Sequence, residues 1–209
     1  MLWSAHCGEN GDEVRIGFLR GPSNDRFVQF TQSGTVDAAL VSITDDQKSR
    51  HIYQVRRDKF QKVGRNVPAA SSMRVANLVC LHGIKVGRSC GRVVTPLANS
   101  YRLTERVGGT NAAPVTTSTR YSQSFTYTVT LPGDWDCNSD GGSPNTVGGN
   151  SGGPITTSRG TTGLGIASSC DPGSRRTTTG PGGVITSTSL TLRATHLADA
   201  LSRTGATMR

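Results

Sequence analysis

Short segments with alternating side chains, separated by turn-forming residues, most strongly limit what this chain can fold into. The clearest, YSQSFTYTVT at residues 121–130, alternates with period two and is followed by Pro132-Gly133. Period-two alternation bounded by Gly, Pro, Ser and Asn predicts half-buried β-strands. Further strands are predicted at residues 26–31, 36–43, 74–81, 91–95, 154–157, 162–167 and 183–187.

The apolar positions near the C-terminal end follow a helical period instead. We predict an amphipathic helix over residues 192–203, from the series Leu190, Ala194, Leu197, Ala198 and Leu201. Two stretches rich in Gly, Ser, Thr, Asn and Pro, residues 134–149 and 171–182, are predicted to be loops. With 209 residues, the chain is long enough for one large all-β domain or two small ones.

The charge balance is basic, with 23 Lys and Arg against 14 Asp and Glu and a net charge of +9. A basic chain can bind nucleic acid or an acidic polymer. Here most basic residues are single arginines, and the densest groups are Arg56-Arg57 with Lys59, and Arg175-Arg176. No aromatic residues alternate with them, as they would in a single-strand-binding surface. We therefore expect no nucleic-acid partner, and a basic binding module is the weakest of three hypotheses.

Five cysteines stand at positions 7, 80, 90, 137 and 170. No two form a CxxC pair, so we expect no zinc site, and the sequence points to no other metal and no cofactor. The spacing suggests two disulfides and one odd thiol, which implies an oxidising compartment. No stretch approaches the roughly 20 apolar residues of a membrane-spanning helix, so no membrane partner is expected.

The strongest chemical signal is the segment Gly149-Asn150-Ser151-Gly152-Gly153-Pro154. Glycine before the serine lets the backbone turn so that two N–H groups point at one spot, and glycines after it leave room for a substrate. The N–H groups of Gly149 and Ser151 would then bind the oxyanion of a tetrahedral intermediate. The plainer interpretation is a glycine-rich turn, which is common in loops. We interpret Ser151 as a candidate nucleophile.

A serine nucleophile needs a base, and the base needs an acid that orients it. The chain has four histidines, at positions 6, 51, 82 and 196, and any one taken alone is more often structural than catalytic. Asp37 is the best acid, because it stands inside the apolar segment Val36-Asp37-Ala38-Ala39-Leu40-Val41. Burial of an unpaired carboxylate is costly, so Asp37 needs a partner. The structural alternative is a turn aspartate bonded to nearby backbone N–H groups.

The order His6, Asp37, Ser151, with the local sequences SAHC, VDAALV and GNSGGP, resembles the chymotrypsin-like serine proteases. The segment CLHGIKVGRSCGRV at residues 80–93 is similar to their bacterial streptogrisin-like branch. That branch has a disulfide hairpin with two internal glycines, a second cysteine ten residues after the first, and then glycine. The resemblance extends from residue 1 to about 205 but is patchy between motifs.

The resemblance implies an all-β fold of two antiparallel β-barrels with the active site between them and a short C-terminal helix. It implies an incomplete first barrel at residues 1–103, a linker at 104–120 and a second barrel at 121–209. The roles it implies are a catalytic triad of His6, Asp37 and Ser151, an oxyanion hole from Gly149 and Ser151, substrate contacts at Ser168 and Ser169, and the disulfides Cys80–Cys90 and Cys137–Cys170.

The function implied is a secreted serine endopeptidase that cleaves protein or peptide substrates through an acyl-enzyme and acts as a monomer. The alternative is a protease-like fold that only binds a partner, which the presence of all three triad residue types argues against. The preferred residue before the scissile bond is not assignable, and Asn145 is only a weak candidate for the base of the specificity pocket.

Three departures from the family pattern stand out. Asn150 replaces the aspartate usually found before the serine, and an amide cannot pair with the ammonium of a freed N-terminus. Cys137 lies fourteen positions before Ser151, a longer spacing than in streptogrisin-like members. Only residues 1–5 precede His6, without a signal peptide. We therefore expect a truncated gene model or fragment, with Cys7 as the odd thiol, and our hypothesis is that the chain as written is unstable or inactive.

Overall fold

Antiparallel strands make up most of the computed structural model of this chain, and a short helix follows the last of them. The structure describes residues 2–7, 27–30, 36–41, 51–54, 59–98, 101–107, 115–137 and 145–208. The strands are β1 (Leu2–Trp3), β2 (Phe27–Phe30), β3 (Ala39–Val41), β4 (His51–Gln54), β5 (Lys59–Lys62), β6 (Leu78–Gly83), β7 (Gly87–Ala98), β8 (Tyr101–Val107), β9 (Val115–Tyr121), β10 (Ser124–Pro132), β11 (Pro154–Thr157), β12 (Gly163–Thr179) and β13 (Ile185–His196). The helix α1 is Leu197–Thr204.

Six strands close into a barrel in the order β10-β13-β12-β11-β6-β7, with β7 returning to β10. Alternation along β10 sends every second side chain inward. Phe125, Tyr127 and Val129 are fully buried there, and their partners across β13 are also buried, namely Ala194, Leu192 and Leu190. The period-two pattern that predicted this strand therefore builds the barrel core.

A smaller three-stranded sheet, in the order β1-β3-β2, carries the N-terminal part of the chain. The strands β1 and β3 run antiparallel, with Leu2 opposite Leu40 and Trp3 opposite Ala39. Buried Val36 and Ala38 belong to an apolar cluster that also includes Ile166 of β12 and Leu197 and Ala200 of α1. This cluster holds the small sheet against one end of the barrel.

The helix at the C-terminal end begins later than the sequence predicts, at Leu197 rather than at residue 192. The predicted start is wrong because Leu190, Leu192 and Ala194 face the barrel core at alternate positions of β13. Residues two and four positions apart fit a strand, and residues four apart also fit a helix. Because β13 pairs with β10 and β12, this segment forms a strand. On α1, Leu197 is buried and Leu201 is partly buried, as the amphipathic pattern predicted, whereas Ala200 is buried although the pattern did not include it.

The predicted loop at residues 171–182 is also wrong over most of its length. Here β12 continues to Thr179 and pairs with β13, with Arg176 opposite Ser189 and Thr178 opposite Ser187. Its polar composition reflects exposure rather than lack of structure, because most of residues 171–179 face solvent. The predicted loop at residues 134–149 lies partly outside the described residues.

Strand pairing places the β6–β7 hairpin in the same barrel as the strands from β10 onward, because β7 pairs with β10 and β6 with β11. The stretch predicted as a linker overlaps β8 and β9, which pair with each other. The division at residues 104–120 stays a prediction. No described helix is long and apolar enough to span a membrane.

The folded state should lose stability as the pH falls, because of His82. Its side chain is buried in the barrel wall, where Nε2 lies 2.9 Å from Thr156 Oγ1. Burial, and to a lesser degree the charge of Arg88, lowers the pKa of His82 to about 4. The unfolded chain therefore binds more protons below its ordinary pKa of about 6.5. We expect the free energy of unfolding to decrease from about pH 6.5 toward pH 4.

Urea titrations between pH 4 and pH 7.5 would measure this loss. The variant His82→Gln keeps a polar group for Thr156 but cannot be protonated, so its stability should fall less steeply with acid. A residual slope is expected from His196, because burial lowers its pKa as well. An unchanged slope in His82→Gln would contradict the assignment.

Candidate active site

Antiparallel pairing of β1 with β3 brings His6 beside Asp37. His6 lies in a short 3-10 helix, Ala5–Cys7, just after β1 ends, and Asp37 lies just before β3 begins. In an antiparallel pair, the end of one strand meets the start of the other. The result is a hydrogen bond of 2.7 Å between His6 Nδ1 and Asp37 Oδ2. The two residues are 31 positions apart in sequence.

The Asp37 carboxylate is fully buried and accepts three hydrogen bonds. Besides the imidazole, the backbone N–H of His6 donates to Oδ1 at 3.0 Å and the hydroxyl of Ser168 donates to Oδ2 at 2.5 Å. Burial of a carboxylate without such donors would be costly. The alternative of a turn aspartate bonded only to local backbone does not describe this residue, because two of its three donors are side chains from distant parts of the chain.

The environment of His6 favours its protonated form. Its side chain is only 8% exposed, and this burial by itself lowers the pKa. Hydrogen bonds and charge from Asp37, with a further contribution from Cys7, outweigh burial and raise the pKa of His6 above its ordinary value. With Nδ1–H donating to Asp37, the ring presents Nε2 as the nitrogen that can accept a proton.

Ser168 reaches Asp37 because it is the extra residue of a β-bulge. Along β12, Ala167 lies opposite Ala194 and Ser169 opposite Arg193, and the register shifts between them. A bulge re-aims the side chain of the extra residue and locally breaks the alternation. The Ser168 hydroxyl therefore bonds Asp37, while its backbone carbonyl accepts a hydrogen bond from Ser151.

The hydroxyl of Ser151 donates to the carbonyl oxygen of Ser168 at 3.0 Å. Within the described residues, no hydrogen bond joins Ser151 to His6. Ser168 thus lies between the two halves of the candidate site, touching Asp37 with its side chain and Ser151 with its backbone. Ser168 thereby connects the predicted serine to the histidine–aspartate pair.

Ser4 forms a second connection between the two halves, and sequence analysis missed it. Its hydroxyl is fully buried and donates to the carbonyl of Ala167 at 2.6 Å. The same oxygen accepts from the backbone N–H of Gly152 at 3.0 Å. Ser4 is two residues before His6 and Gly152 directly follows Ser151, so this hydroxyl holds the segments of base and nucleophile together. A small hydroxyl residue two positions before the candidate histidine was the available signal.

The backbone turns sharply just before Ser151. Gly149 has φ of +84°, a conformation that favours glycine. Within the described part of the chain, neither the N–H of Gly149 nor that of Ser151 donates a hydrogen bond. Both groups are therefore available to an oxygen atom brought to the turn.

Asn150 ties this turn to the tip of the β6–β7 hairpin. The side chain is buried, with Oδ1 accepting from the backbone N–H of Lys85 at 3.0 Å and Nδ2 donating to the carbonyl of Val147 at 2.5 Å. Gly83 is required beneath it, because a Cβ there would lie 2.1 Å from Asn150 Oδ1. From the sequence, Asn150 was noted only for replacing the aspartate usual in the family. In the structure its neutral amide holds the turn before Ser151 against the hairpin, and we call this pair of bonds the Asn150 clamp.

Both disulfides implied by the resemblance are present. Cys80–Cys90 joins β6 to β7, and Cys137–Cys170 joins the segment after β10 to β12, two residues beyond Ser168. Cys7 is a free, exposed thiol. Ser169 is half-buried next to Ser168 on β12.

The region of the predicted specificity pocket is only partly visible. Residues 138–144 lie outside the described part of the chain. Asn145 is exposed, and its Nδ2 donates to the carbonyl of Asp134 at 3.1 Å. Among the described residues, no group of three or more His, Cys, Asp or Glu is placed to hold a metal ion.

Comparison with solved structures identifies the fold. A chymotrypsin from Cellulomonas bogoriensis is similar with a TM-score of 0.60 and 17% identity, covering 100% of this chain and 84% of that chain. A glutamic acid-specific serine protease that uses a histidine triad in substrate binding is similar with a TM-score of 0.50 and 17% identity, covering 100% of this chain and 85% of that one. The chain therefore has the all-β chymotrypsin fold. No protein-family model and no curated protein sequence matches it.

Replacement of Asn150 by aspartate should destabilise the protein at neutral pH. The carboxylate would place an oxygen, instead of an N–H donor, against the carbonyl of Val147. A buried group left without its partner costs about 1–3 kcal/mol, and more for a charge. A protonated carboxyl can donate to Val147, so the loss should shrink toward acid pH. Urea titrations of Asn150→Asp at pH 4.5 and 7.5 would measure it, each relative to wild type. An equal loss at both pH values would contradict the clamp.

Proposed function

We propose that this protein is a serine endopeptidase that cleaves peptide bonds through an acyl-enzyme. The observation that carries the proposal is the buried pair of His6 and Asp37, joined through Ser168 to the hydroxyl of Ser151. Nucleophilic acyl transfer requires a hydroxyl, an imidazole and a carboxylate, and the contact between the imidazole and the carboxylate is already formed here. The solved structures with the same fold include two serine proteases, which supports this class of reaction.

In the proposed reaction, the Ser151 oxygen attacks the scissile carbonyl while His6 Nε2 takes its proton. Asp37 holds the imidazole in the required tautomer and stabilises the imidazolium that forms. The amine then leaves with the proton from His6, and water releases the acyl group by the same steps in reverse. The first step requires the Ser151 hydroxyl to turn from the Ser168 carbonyl to His6.

The oxyanion of the tetrahedral intermediate would be bound by the N–H groups of Gly149 and Ser151. Both are free of hydrogen bonds within the described residues, so binding an oxygen displaces no protein partner. The clamp by Asn150 holds the turn in place before a substrate arrives. Donors that are already oriented contribute more to the rate, because the protein does not reorganise during the reaction.

The substrate backbone would pair with β12 at Ser168 and Ser169, the two residues that the family resemblance implies for substrate contacts. On one edge of β12, the pairing with β11 ends at Pro154 and Ile166. The opposite edge of β12 stays paired with β13. An extended peptide can add to the edge of a sheet by main-chain hydrogen bonds. The proposed substrates are accordingly proteins and peptides, and the protein would act as a monomer.

The two disulfides support an oxidising compartment, and we propose that the protein works outside the cell.

A protease-like protein that only binds its partner is the second candidate. It is favoured by one observation, the hydrogen bond of Ser151 to Ser168 rather than to His6. In that case the same surfaces bind a peptide but Ser151 does not react.

Labelling with a serine-reactive phosphonate separates the two candidates. The proposed function and the sequence-based hypothesis of an inactive chain predict opposite results. From the proposed function we expect stoichiometric labelling of the wild-type chain, no labelling of Ser151→Ala, and a loss of peptide hydrolysis on the order of 10⁴-fold or more in that variant. Ser189→Ala, which removes an exposed hydroxyl from β13, is the matched control and should retain both properties. A folded wild-type protein that binds peptides but resists the phosphonate would establish the non-catalytic candidate.

The pH dependence of the reaction should reflect the protonation of His6. The general base must be neutral to accept a proton, and Asp37 raises its pKa. We therefore expect kcat/KM to increase with pH along a limb whose midpoint lies above 6.5. Asp37→Asn removes the charge that stabilises the imidazolium, so the midpoint should move to lower pH and the plateau should fall by about 10⁴-fold.

Measurement of kcat/KM for one peptide from pH 5 to 10 in both proteins tests this. A limb that stays in place when Asp37 is replaced would show that His6 is not the titrating base.

A further inference from the structure

The tip of the β6–β7 hairpin places the side chain of Lys85 beside the turn at Gly149 and Asn150, which we call the nucleophile turn. Between the buried Gly83 and Val86, the two tip residues face solvent, and Ile84 is 82% exposed. Lys85 is the other exposed residue. Its methylene chain lies along Gly149, because a Cβ on that glycine would be 3.6 Å from Lys85 Cε.

The backbone of Lys85 is held by a hydrogen bond, whereas its side-chain ammonium group makes no such contact within the described residues. Asn150 anchors its N–H at 3.0 Å, so the residue is held at the turn whatever its side chain does. No ion pair or side-chain hydrogen bond of Lys85 occurs within the described residues. A positive charge in this position can bind a carboxylate without first breaking another contact.

The hairpin tip and β12 contact the turn that carries Ser151 at different residues. Gly149 and Asn150 contact Lys85, whereas Ser151 and Gly152 contact β12 through Ser168 and Ala167. If the acyl part of a peptide pairs with β12 as proposed above, its leaving part would extend past Gly149 toward the hairpin tip.

We propose that Lys85 is a specificity-determining residue that selects substrates with an acidic side chain in the first two positions after the scissile bond. This inference rests on the proposed function for the direction of the peptide. An exposed ion pair contributes little free energy, which corresponds to a preference of about two- to fivefold for Glu over Gln, decreasing at high salt.

Two peptides that differ only by Glu or Gln at the second position after the scissile bond test the proposal. Binding to chains carrying Ser151→Ala is measured by fluorescence anisotropy, and kcat/KM is measured in the chains that keep Ser151. We expect the Glu preference in both assays, its loss in Lys85→Gln and its reversal in Lys85→Glu. Replacement of Lys85 leaves the backbone bond to Asn150 intact. Arg159→Gln removes an equal charge from the exposed turn between β11 and β12, and should keep the preference.

The two assays distinguish the failure of this inference from that of the proposed function. Hydrolysis with equal Glu/Gln ratios in wild type and Lys85→Glu would overturn the role of Lys85 and leave the protease intact. Lys85-dependent binding of the acidic peptide without any hydrolysis would support the role of Lys85 and overturn the protease. Equal binding of both peptides together with no hydrolysis would overturn both.

Discussion

The hydrogen bonds to the carboxylate of Asp37 are the interaction on which the position of the small sheet against the barrel depends. It is fully buried and accepts hydrogen bonds from the His6 ring, the His6 backbone and Ser168 of the barrel. The backbone carbonyl of Asp37 accepts a fourth bond, at 3.2 Å, from Thr195 of β13. A buried polar group must find its partners within the protein, and these bonds link the small sheet to the barrel. The docking that satisfies Asp37 also sets the position of the candidate base.

On the other side of the site, neutral groups hold the nucleophile turn. The amide of Asn150 bonds the hairpin through Lys85 and the turn through Val147, over a glycine that leaves room for it. Ser4 adds a hydroxyl that bridges Gly152 and Ala167. These contacts need no ionised partner at position 150, because a neutral amide makes both of its bonds. The same clamp places the side chain of Lys85 beside Gly149.

Sequence reasoning succeeded where the physical signal is local. The alternation in residues 121–130 predicted a core strand, and an aspartate in an apolar segment indicated a buried partner. It failed where the helical and strand periods coincide, as at Leu190 and Ala194. It also failed at residues 171–179, because an exposed strand there has the polar composition of a loop. The role of Ser168 came only from the family resemblance, because no pattern along the chain signals a bulge that turns a hydroxyl toward a residue 131 positions away.

The amino-acid sequence by itself determined an all-β chain, the residue types of the candidate site and the cysteines available for pairing. These follow from side-chain periodicity and chemistry, which each residue carries with it. Only the tertiary structure decided that Asp37 is shared between His6 and Ser168, that Ser151 bonds the Ser168 carbonyl, and that Asn150 clamps the hairpin. Each of these contacts joins segments far apart in the chain, and strand register and burial select their partners. Hydrogen bonds of that kind exist only after the sheets have packed.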